Sequence, residues 1–136
     1  ITLKDDAKSN KGIAWKLSKA GPQTASPLLY EGHVYVLDER GGFLSCYDAK
    51  TGEQEYKERL PGARGFTSSP WGYEGKVFCL DDGGTTYTIQ AGAAFKVLSK
   101  NRLDEMCWSS PAVANGALFL RTVDHLYCIK RKGEEK

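Results

Sequence analysis

The chain has 136 residues, with nineteen basic and seventeen acidic side chains and a formal net charge of +2. This near balance, with both signs interspersed, does not favour binding to nucleic acid. No apolar run approaches the ~18 residues of a membrane-spanning helix, so we also expect no membrane span.

The chain opens with polar residues that lack a sustained period, and residues 1–12 predict a loop or a ragged end. The first predicted strand covers residues 13–18, with Trp15 as its large side chain. After a turn signal at Gly21 and Pro22, short strand signals alternate with Gly- and Asp-containing turns. The first full set has four predicted strands, at residues 24–29, 34–38, 43–47 and 54–60.

Most of this set recurs along the chain at a period of about forty residues. Each copy begins with a Ser-Pro pair, carries a Gly five residues after the proline, and continues into an alternating apolar run. Trp15, Tyr56 and Phe95 align as one further repeated position. The Ser-Pro pairs are Ser26-Pro27, Ser69-Pro70 and Ser110-Pro111, and the glycines are Gly32, Gly75 and Gly116.

Four short strands per unit at this period predict an all-β chain built from β-propeller blades, because one such sheet cannot bury both faces alone. Closed propellers have about four to eight blades, whereas this chain provides about three antiparallel ones. We therefore expect a fragment, or a ring that is completed by oligomerisation. The predicted units are the last strand of a truncated blade with a polar leader (1–23), two blades (24–62 and 63–104), and an incomplete blade with a charged tail (105–136).

The cysteines have no CxxC spacing and are not accompanied by clustered histidines, which argues against a metal site. We expect reduced thiols that pack as small hydrophobes, although their even number leaves a disulfide open. The four cysteines are Cys46, Cys79, Cys107 and Cys128.

Four aspartates lie at turns. Asp48 enters the turn Asp-Ala-Lys-Thr-Gly, where its carboxylate can accept backbone N–H groups and Gly52 can adopt a left-handed conformation. Asp38, Asp81 and Asp82 stand at hairpin entries, where turn capping explains them, although oxygen ligands for calcium are also possible there.

The other candidate groups do not assemble into a catalytic site. His33 lies in a predicted hairpin turn and His125 at the start of a strand, and we expect both to be exposed. The serines of the Ser-Pro pairs lack a GxSxG setting and recur as a structural element. We therefore predict no catalytic, cofactor-binding or metal-ligating residue.

A further resemblance is seen in the first full unit and in two shorter segments that match it, SSPWGYEGKVFCLDDGG and SSPAVANGALFL. The first unit reads SPLLYEGHVYVLDERGGFLSCYDAKTGEQEY. It resembles the PQQ-like β-propeller repeat family, whose unit runs from Ser-Pro to a Thr-Gly turn before a strand that ends in Trp. Tyr56 and Phe95 depart from that tryptophan, and Trp15 keeps it.

This resemblance implies one of two functions. Quinoprotein dehydrogenases of the family hold pyrroloquinoline quinone (PQQ) and calcium on the propeller axis, and they carry a vicinal Cys-Cys pair that is absent from this sequence. Trp71 and Trp108, on first-strand segments, are explained equally well by packing near the axis. Other members are scaffolds, such as the propeller lipoprotein of the bacterial outer-membrane assembly machine.

We therefore interpret the chain as a non-catalytic module that binds a protein or peptide and has no cofactor, in a periplasmic or secreted setting. The alternative is a fragment of a dehydrogenase that depends on PQQ and calcium. Whether the protein is an enzyme stays open at this stage.

The strand count also predicts self-association. The strand at residues 13–18 of one chain can complete the last blade of another, which removes two exposed strand edges and gives about six blades in a homodimer.

Overall fold

A computed structural model describes residues 12–21, 23–131 and 133. The described residues contain three antiparallel sheets with four, four and three strands, in the orders β1-β2-β3-β4, β5-β6-β7-β8 and β11-β10-β9. We refer to these sheets as blades 1, 2 and 3. The strands are β1 Leu28–Tyr30, β2 His33–Leu37, β3 Phe43–Asp48, β4 Gln54–Arg59, β5 Trp71–Tyr73, β6 Lys76–Leu80, β7 Thr85–Gln90, β8 Val97–Arg102, β9 Ala112–Ala114, β10 Ala117–Arg121 and β11 Leu126–Lys130.

The three blades are copies of one unit in strand register as well as in order. Tyr35 in β2 pairs with Leu28 on one side and with Cys46 on the other. In blade 2, Phe78 takes the place of Tyr35 and pairs with Trp71 and Thr88. In blade 3, Phe119 pairs with Ala112 and Cys128. The predicted fold class is therefore confirmed as an all-β, partial β-propeller.

Consecutive blades are tied together by the serines of the Ser-Pro pairs. The backbone N–H of Ser26 donates to Oγ of Ser69 at 2.8 Å, and the N–H of Ser69 donates to Oγ of Ser110 at 2.8 Å. Because each hydroxyl accepts an amide of the preceding blade, the motif positions neighbouring first strands against one another. The structural role that the sequence predicts for these serines is confirmed by these bonds.

The core lies between the blades. Its larger part is a cluster between blades 1 and 2 that includes Tyr35, Tyr56 and Val77. A much smaller buried cluster, formed by Leu80, Cys107 and Leu120, lies between blades 2 and 3. The two interfaces therefore bury different numbers of apolar side chains, although the strands that form them have the same register.

The ladder register corrects one alignment in the sequence repeat. Ser99 pairs with Thr88 as Tyr56 pairs with Cys46, and both ladders shift at the same point. Phe95 lies before β8 begins at Val97 and is therefore not the counterpart of Tyr56. The reason is the turn before the fourth strand, which is one residue longer in blade 2 (residues 91–96) than in blade 1 (residues 49–53).

The predicted strand at residues 13–18 is not formed in the structure. A strand needs a ladder partner, and none of the described residues provides one for this segment. Trp15, the large side chain of this segment, nevertheless contacts blade 1, because its Nε1 donates to the carbonyl of Ala49 at 3.1 Å. The indole also lies against Gly52, where an added Cβ would come within 2.7 Å of the ring. Trp15 therefore packs on the turn of the following blade, as expected for a residue between blades.

Candidate functional site

The interface between blades 1 and 2 is sealed by aromatic side chains. The ring of Tyr56 meets that of Phe95 edge to face at 5.4 Å between centroids. The hydroxyl of Tyr35 accepts the backbone N–H of Gly92 at 2.8 Å, and that of Tyr30 accepts the N–H of Gly75 at 2.9 Å. Burial raises the pKa of Tyr35 to about 12, so its phenol stays neutral in this packed interior.

The same positions carry different side chains between blades 2 and 3. Ser99 stands where blade 1 has Tyr56, Phe78 replaces Tyr35, and Thr88 replaces Cys46. A cleft of about 570 Å³ lies between the two sheets. The second interface therefore differs from the first in side chains at equivalent positions and in the described strands of its outer blade, which number three and not four, with no change in strand register.

The two walls of the cleft differ in chemistry. On blade 2, the rings of Trp71 and Phe78 stack at 5.3 Å between centroids with planes 12° apart. Beside them, Thr86, Thr88 and Asn101 supply hydroxyl and amide groups. The opposite wall belongs to blade 3 and is aliphatic. It is lined by Val113, Leu118, Leu120 and Ile129.

Cationic side chains stand at the mouth of the cleft, where Arg102, Lys130 and Arg131 contribute to its lining. Arg131 forms an ion pair with Glu74 at 3.1 Å, which connects the end of β11 to the β5–β6 turn. Arg102 pairs with Asp104 at 2.8 Å. Because two of the three cations already have carboxylate partners and all are exposed, the mouth contributes little net attraction for an anion.

A carboxylate network connects the loop between blades 2 and 3 to blade 3. Glu105 accepts hydrogen bonds from the hydroxyls of Thr122 and Tyr127, and Nδ1 of His125 lies 3.0 Å from its carboxylate. Hydrogen bonds from Thr122, Tyr127 and His125 lower the pKa of Glu105 to about 2. The same carboxylate raises the pKa of His125 above its usual value. His125 is thus exposed as predicted, but it is engaged in this network.

The aspartates predicted at turns lie in turns. The Asp48 carboxylate accepts the backbone N–H groups of Lys50 and Thr51, each at 2.8 Å, and Gly52 has a φ of 75°. These amides lower the pKa of Asp48, because they bond to its charged form. Asp81 accepts the N–H of Thr85 at 2.7 Å.

The side chains at the remaining hairpin entries also have protein partners. Asp38 pairs with Lys57 at 3.1 Å, and Asp82 accepts the N–H of Thr67 at 2.9 Å. In blade 3, Thr122 stands at the equivalent place and its hydroxyl accepts the N–H of His125 at 2.9 Å. Hairpin capping therefore describes Asp81 and Thr122, whereas Asp38 and Asp82 contact residues outside their own turns.

The cysteines are unpaired in the structure. Three are buried and Cys128 is exposed, and none forms a disulfide. Burial raises the pKa of Cys46 to about 11, which keeps the thiol protonated, and Sγ of Cys46 points to the carbonyl of Gly92 at 3.7 Å. Cys46 and Cys128 belong to different sheets at equivalent positions, as the repeat predicts.

Within residues 12–21, 23–131 and 133, no group of three or more His, Cys, Asp or Glu side chains converges on a point that could hold a metal ion. Over the same residues, no helix is both long and apolar enough to span a membrane.

The fold and the repeated register define this chain as part of a β-propeller. Among solved structures, it is similar to a europium-containing methanol dehydrogenase, with a TM-score of 0.62 and 17% identity, over 79% of this chain and 22% of the other. It is similar to the quinohemoprotein alcohol dehydrogenase ADHIIG of Pseudomonas putida HK5, with a TM-score of 0.60 and 17% identity, over 78% of this chain and 17% of the other.

A third similar structure is BamB from Moraxella catarrhalis, with a TM-score of 0.52 and 10% identity, over 75% of this chain and 41% of the other. The chain thus spans less than half of each of these three propellers. No family model and no curated protein matches the sequence. The similarity confirms the partial propeller fold and the predicted structural resemblance to quinoprotein propellers.

Sequence reasoning did not identify the cleft. The signal that could have revealed it is the serine at position 99, where a sealed interface requires a large ring. That signal was hidden by the alignment of Phe95 with Tyr56, which the extra turn residue made plausible. The Glu105 network was also missed, since it joins a connecting loop to a hairpin and the repeat pattern contains no counterpart.

Proposed function

We propose that this propeller segment is a non-catalytic protein-binding module, and that the cleft between blades 2 and 3 takes an aromatic side chain from an extended polypeptide of a partner. The observation that supports this is the comparison with the interface between blades 1 and 2 of the same chain. Where blade 1 inserts Tyr56 against Phe95 of blade 2, blade 2 presents Ser99 and an open space. The segment can therefore receive from a partner the kind of ring that it supplies itself in its first interface.

The size and chemistry of the cleft agree with such a ligand. Its volume of about 570 Å³ falls in the range of ligand pockets, roughly 300–1,000 Å³. The stacked pair of Trp71 and Phe78 offers an aromatic surface for an incoming ring. Thr86, Thr88 and Asn101 offer hydrogen-bonding groups to a peptide backbone or a phenol. Burying one aromatic side chain contributes about 1.5–3 kcal/mol, which suits a weak, reversible scaffold contact.

The test uses the full chain and defined probes. N-acetyl-tyrosinamide and the amides of phenylalanine, leucine and alanine are titrated while amide chemical shifts are followed by NMR. We expect the aromatic amides to bind at least tenfold more tightly than the alanine amide, with shifts concentrated at the residues that line the cleft. Equal affinities, or shifts centred elsewhere on the surface, would contradict the proposal.

A substitution at position 99 provides the matched control. Ser99→Tyr restores the ring that blade 1 carries, so it should fill the cleft and abolish probe binding while the strand spectrum is retained. Ser99→Ala removes only a hydroxyl and should bind as the unmodified chain does. Retained binding in Ser99→Tyr would place the ligand outside the cleft.

The alternative function, a fragment of a dehydrogenase that depends on PQQ and calcium, is favoured by the similarity to methanol and alcohol dehydrogenases. The described residues do not fit that cofactor site, since their acidic side chains do not converge and Asp38, Asp81 and Asp82 already have partners within the protein. Calorimetric titration with PQQ and calcium separates the two functions. Tight one-site binding would favour the dehydrogenase and overturn the scaffold proposal.

A further inference from the structure

Blade 3 presents an open strand edge and an open face. Its strand order ends at β11, which pairs with β10 alone among the described residues. Leu118, Leu120 and Ile129 line the cleft toward blade 2. Because side chains alternate along a strand, Phe119 and Cys128 point to the opposite side. We call that side the outer face of blade 3, with Leu126 as its third member.

The outer face is apolar and exposed. Leu126 is 73% exposed and Phe119 is 37% exposed. Cys128 is the one exposed cysteine of the four. The equivalent positions in blade 1, Leu44 and Cys46, are fully buried because β4 and blade 2 cover them. An exposed β-edge beside apolar side chains is a site where another strand can pair.

Residues 13–18 lack a strand to pair with, whereas the edge of blade 3 lacks a fourth strand among the described residues. Trp15 docks on the turn of blade 1 in the way that Tyr56 docks against the turn region of blade 2, which is the position of a fourth strand from a preceding blade. No described residue forms a ladder with this segment, and Ile13 and Leu17 are 54% and 40% exposed. The segment therefore lies where a fourth strand of a blade would lie, with no ladder partner among the described residues.

We propose that residues 13–18 of a second copy of this chain pair antiparallel with β11 and complete blade 3. The register follows from blade 1, where Tyr56 stands opposite Cys46 and Glu58 opposite Leu44. Transposed to blade 3, it sets Trp15 of the second copy opposite Cys128, and Leu17 opposite Leu126. Both apolar positions of the segment then cover the outer face.

The arrangement is reciprocal. Trp15 stays docked on its own blade 1 while its strand completes blade 3 of the other copy, so each chain gives one strand and accepts one. Two chains then contribute about six blades, within the four to eight of closed propellers. When two chains exchange strands reciprocally about a two-fold axis, the assembly closes as a dimer and leaves no strand to extend a fibre.

Light scattering on the purified chain is the first test. We expect a dimer of twice the 15.0 kDa of one chain. A Leu17→Pro variant, whose proline cannot donate to the β11 ladder, should shift the mass toward one chain. A monodisperse 15.0 kDa particle from the unmodified chain would overturn the proposal, as would a dimer of undiminished stability in Leu17→Pro.

A designed disulfide tests the register. In a Cys128→Ser background, Leu17→Cys combined with Leu126→Cys should oxidise to a covalent dimer, since cross-strand neighbours meet the distance limit for a disulfide. The control pairs Leu17→Cys with Val113→Cys, whose side chain lies on the cleft side of blade 3. An intramolecular bond in the first variant, or equal cross-linking in the control, would overturn the proposed pairing.

This inference is independent of the proposed peptide cleft, because it concerns the other face of blade 3. The Ser99→Tyr variant separates the two. If both proposals hold, the variant loses probe binding and still forms the dimer. Loss of the dimer together with probe binding would contradict the assignment of the two activities to opposite faces.

Discussion

The interface between blades 1 and 2 and the interface between blades 2 and 3 have the same strand register and different interiors. The first buries a continuous cluster in which Tyr30 and Tyr35 also accept backbone amides of the next blade. The second buries three residues and leaves a cleft of about 570 Å³. The open interface differs from the sealed one in two ways, because blade 2 carries Ser99 where blade 1 carries Tyr56, and because blade 3 has three described strands where blade 2 has four.

The largest expected effect comes from making the first interface resemble the second. Tyr56→Ser removes the ring that packs on Phe95 and opens a cavity in the buried cluster. Loss of a buried aromatic side chain costs about 3–5 kcal/mol, so we expect urea unfolding with a strongly lowered midpoint. Ser99→Ala, at the equivalent place in the open interface, should change the unfolding free energy by less than about 0.5 kcal/mol. Similar losses in both variants would show that the two interfaces do not differ as described.

Removing the hydroxyl groups of two tyrosines in the first interface tests which of them stabilises it. Tyr35→Phe leaves the half-buried N–H of Gly92 without its acceptor, which costs up to about 1–3 kcal/mol. Tyr56→Phe should be neutral or stabilising by up to about 1 kcal/mol, because the Tyr56 hydroxyl is buried and has no hydrogen-bond partner among the described residues. Chemical denaturation of both variants measures the contrast. A larger loss in Tyr56→Phe than in Tyr35→Phe would contradict the assigned roles.

Local sequence signals were sufficient for the strands and for the turns that cap them. The run predicted at residues 34–38 is β2 at His33–Leu37, and Asp48 caps its turn as expected. These features depend on neighbours within a few residues, where propensity and turn chemistry decide the structure. The repeat also identified Thr122 as the counterpart of Asp81, and both accept an amide within their hairpins.

Features that depend on contacts between blades were predicted less well. The strand at residues 13–18 was expected from its own pattern, but strand formation needs a partner that the described residues lack. The cleft was missed because the extra residue of the β7–β8 turn shifted Phe95 away from the packing position and left Ser99 there. A period read along the chain does not report the length of a turn, and here one residue determines what faces the next blade.

The smallest expected effect concerns pH, and it should belong to the second interface alone. In the first, the Tyr87 hydroxyl donates to the carbonyl of Pro61 at 3.1 Å, which does not titrate. In the second, the equivalent Tyr127 donates to the Glu105 carboxylate. The pKa of Glu105 is lowered to about 2, so its contribution is present above the ordinary value of 4.5 and is lost as the pH falls toward about 2.

His125 acts in the opposite direction. Its pKa is raised above 6.5 by Glu105, so its contribution is complete below that value and is lost as the pH rises through the raised pKa. We therefore expect Glu105→Gln to lower the urea midpoint most between about pH 4.5 and 6.5, with a smaller difference at pH 8 and none near pH 2. Asp104→Asn is the matched control, because Asp104 pairs with the exposed Arg102 and lies outside the network. A difference between Glu105→Gln and the unmodified chain that stays constant from pH 2 to pH 8 would show that the carboxylate network does not hold blade 3.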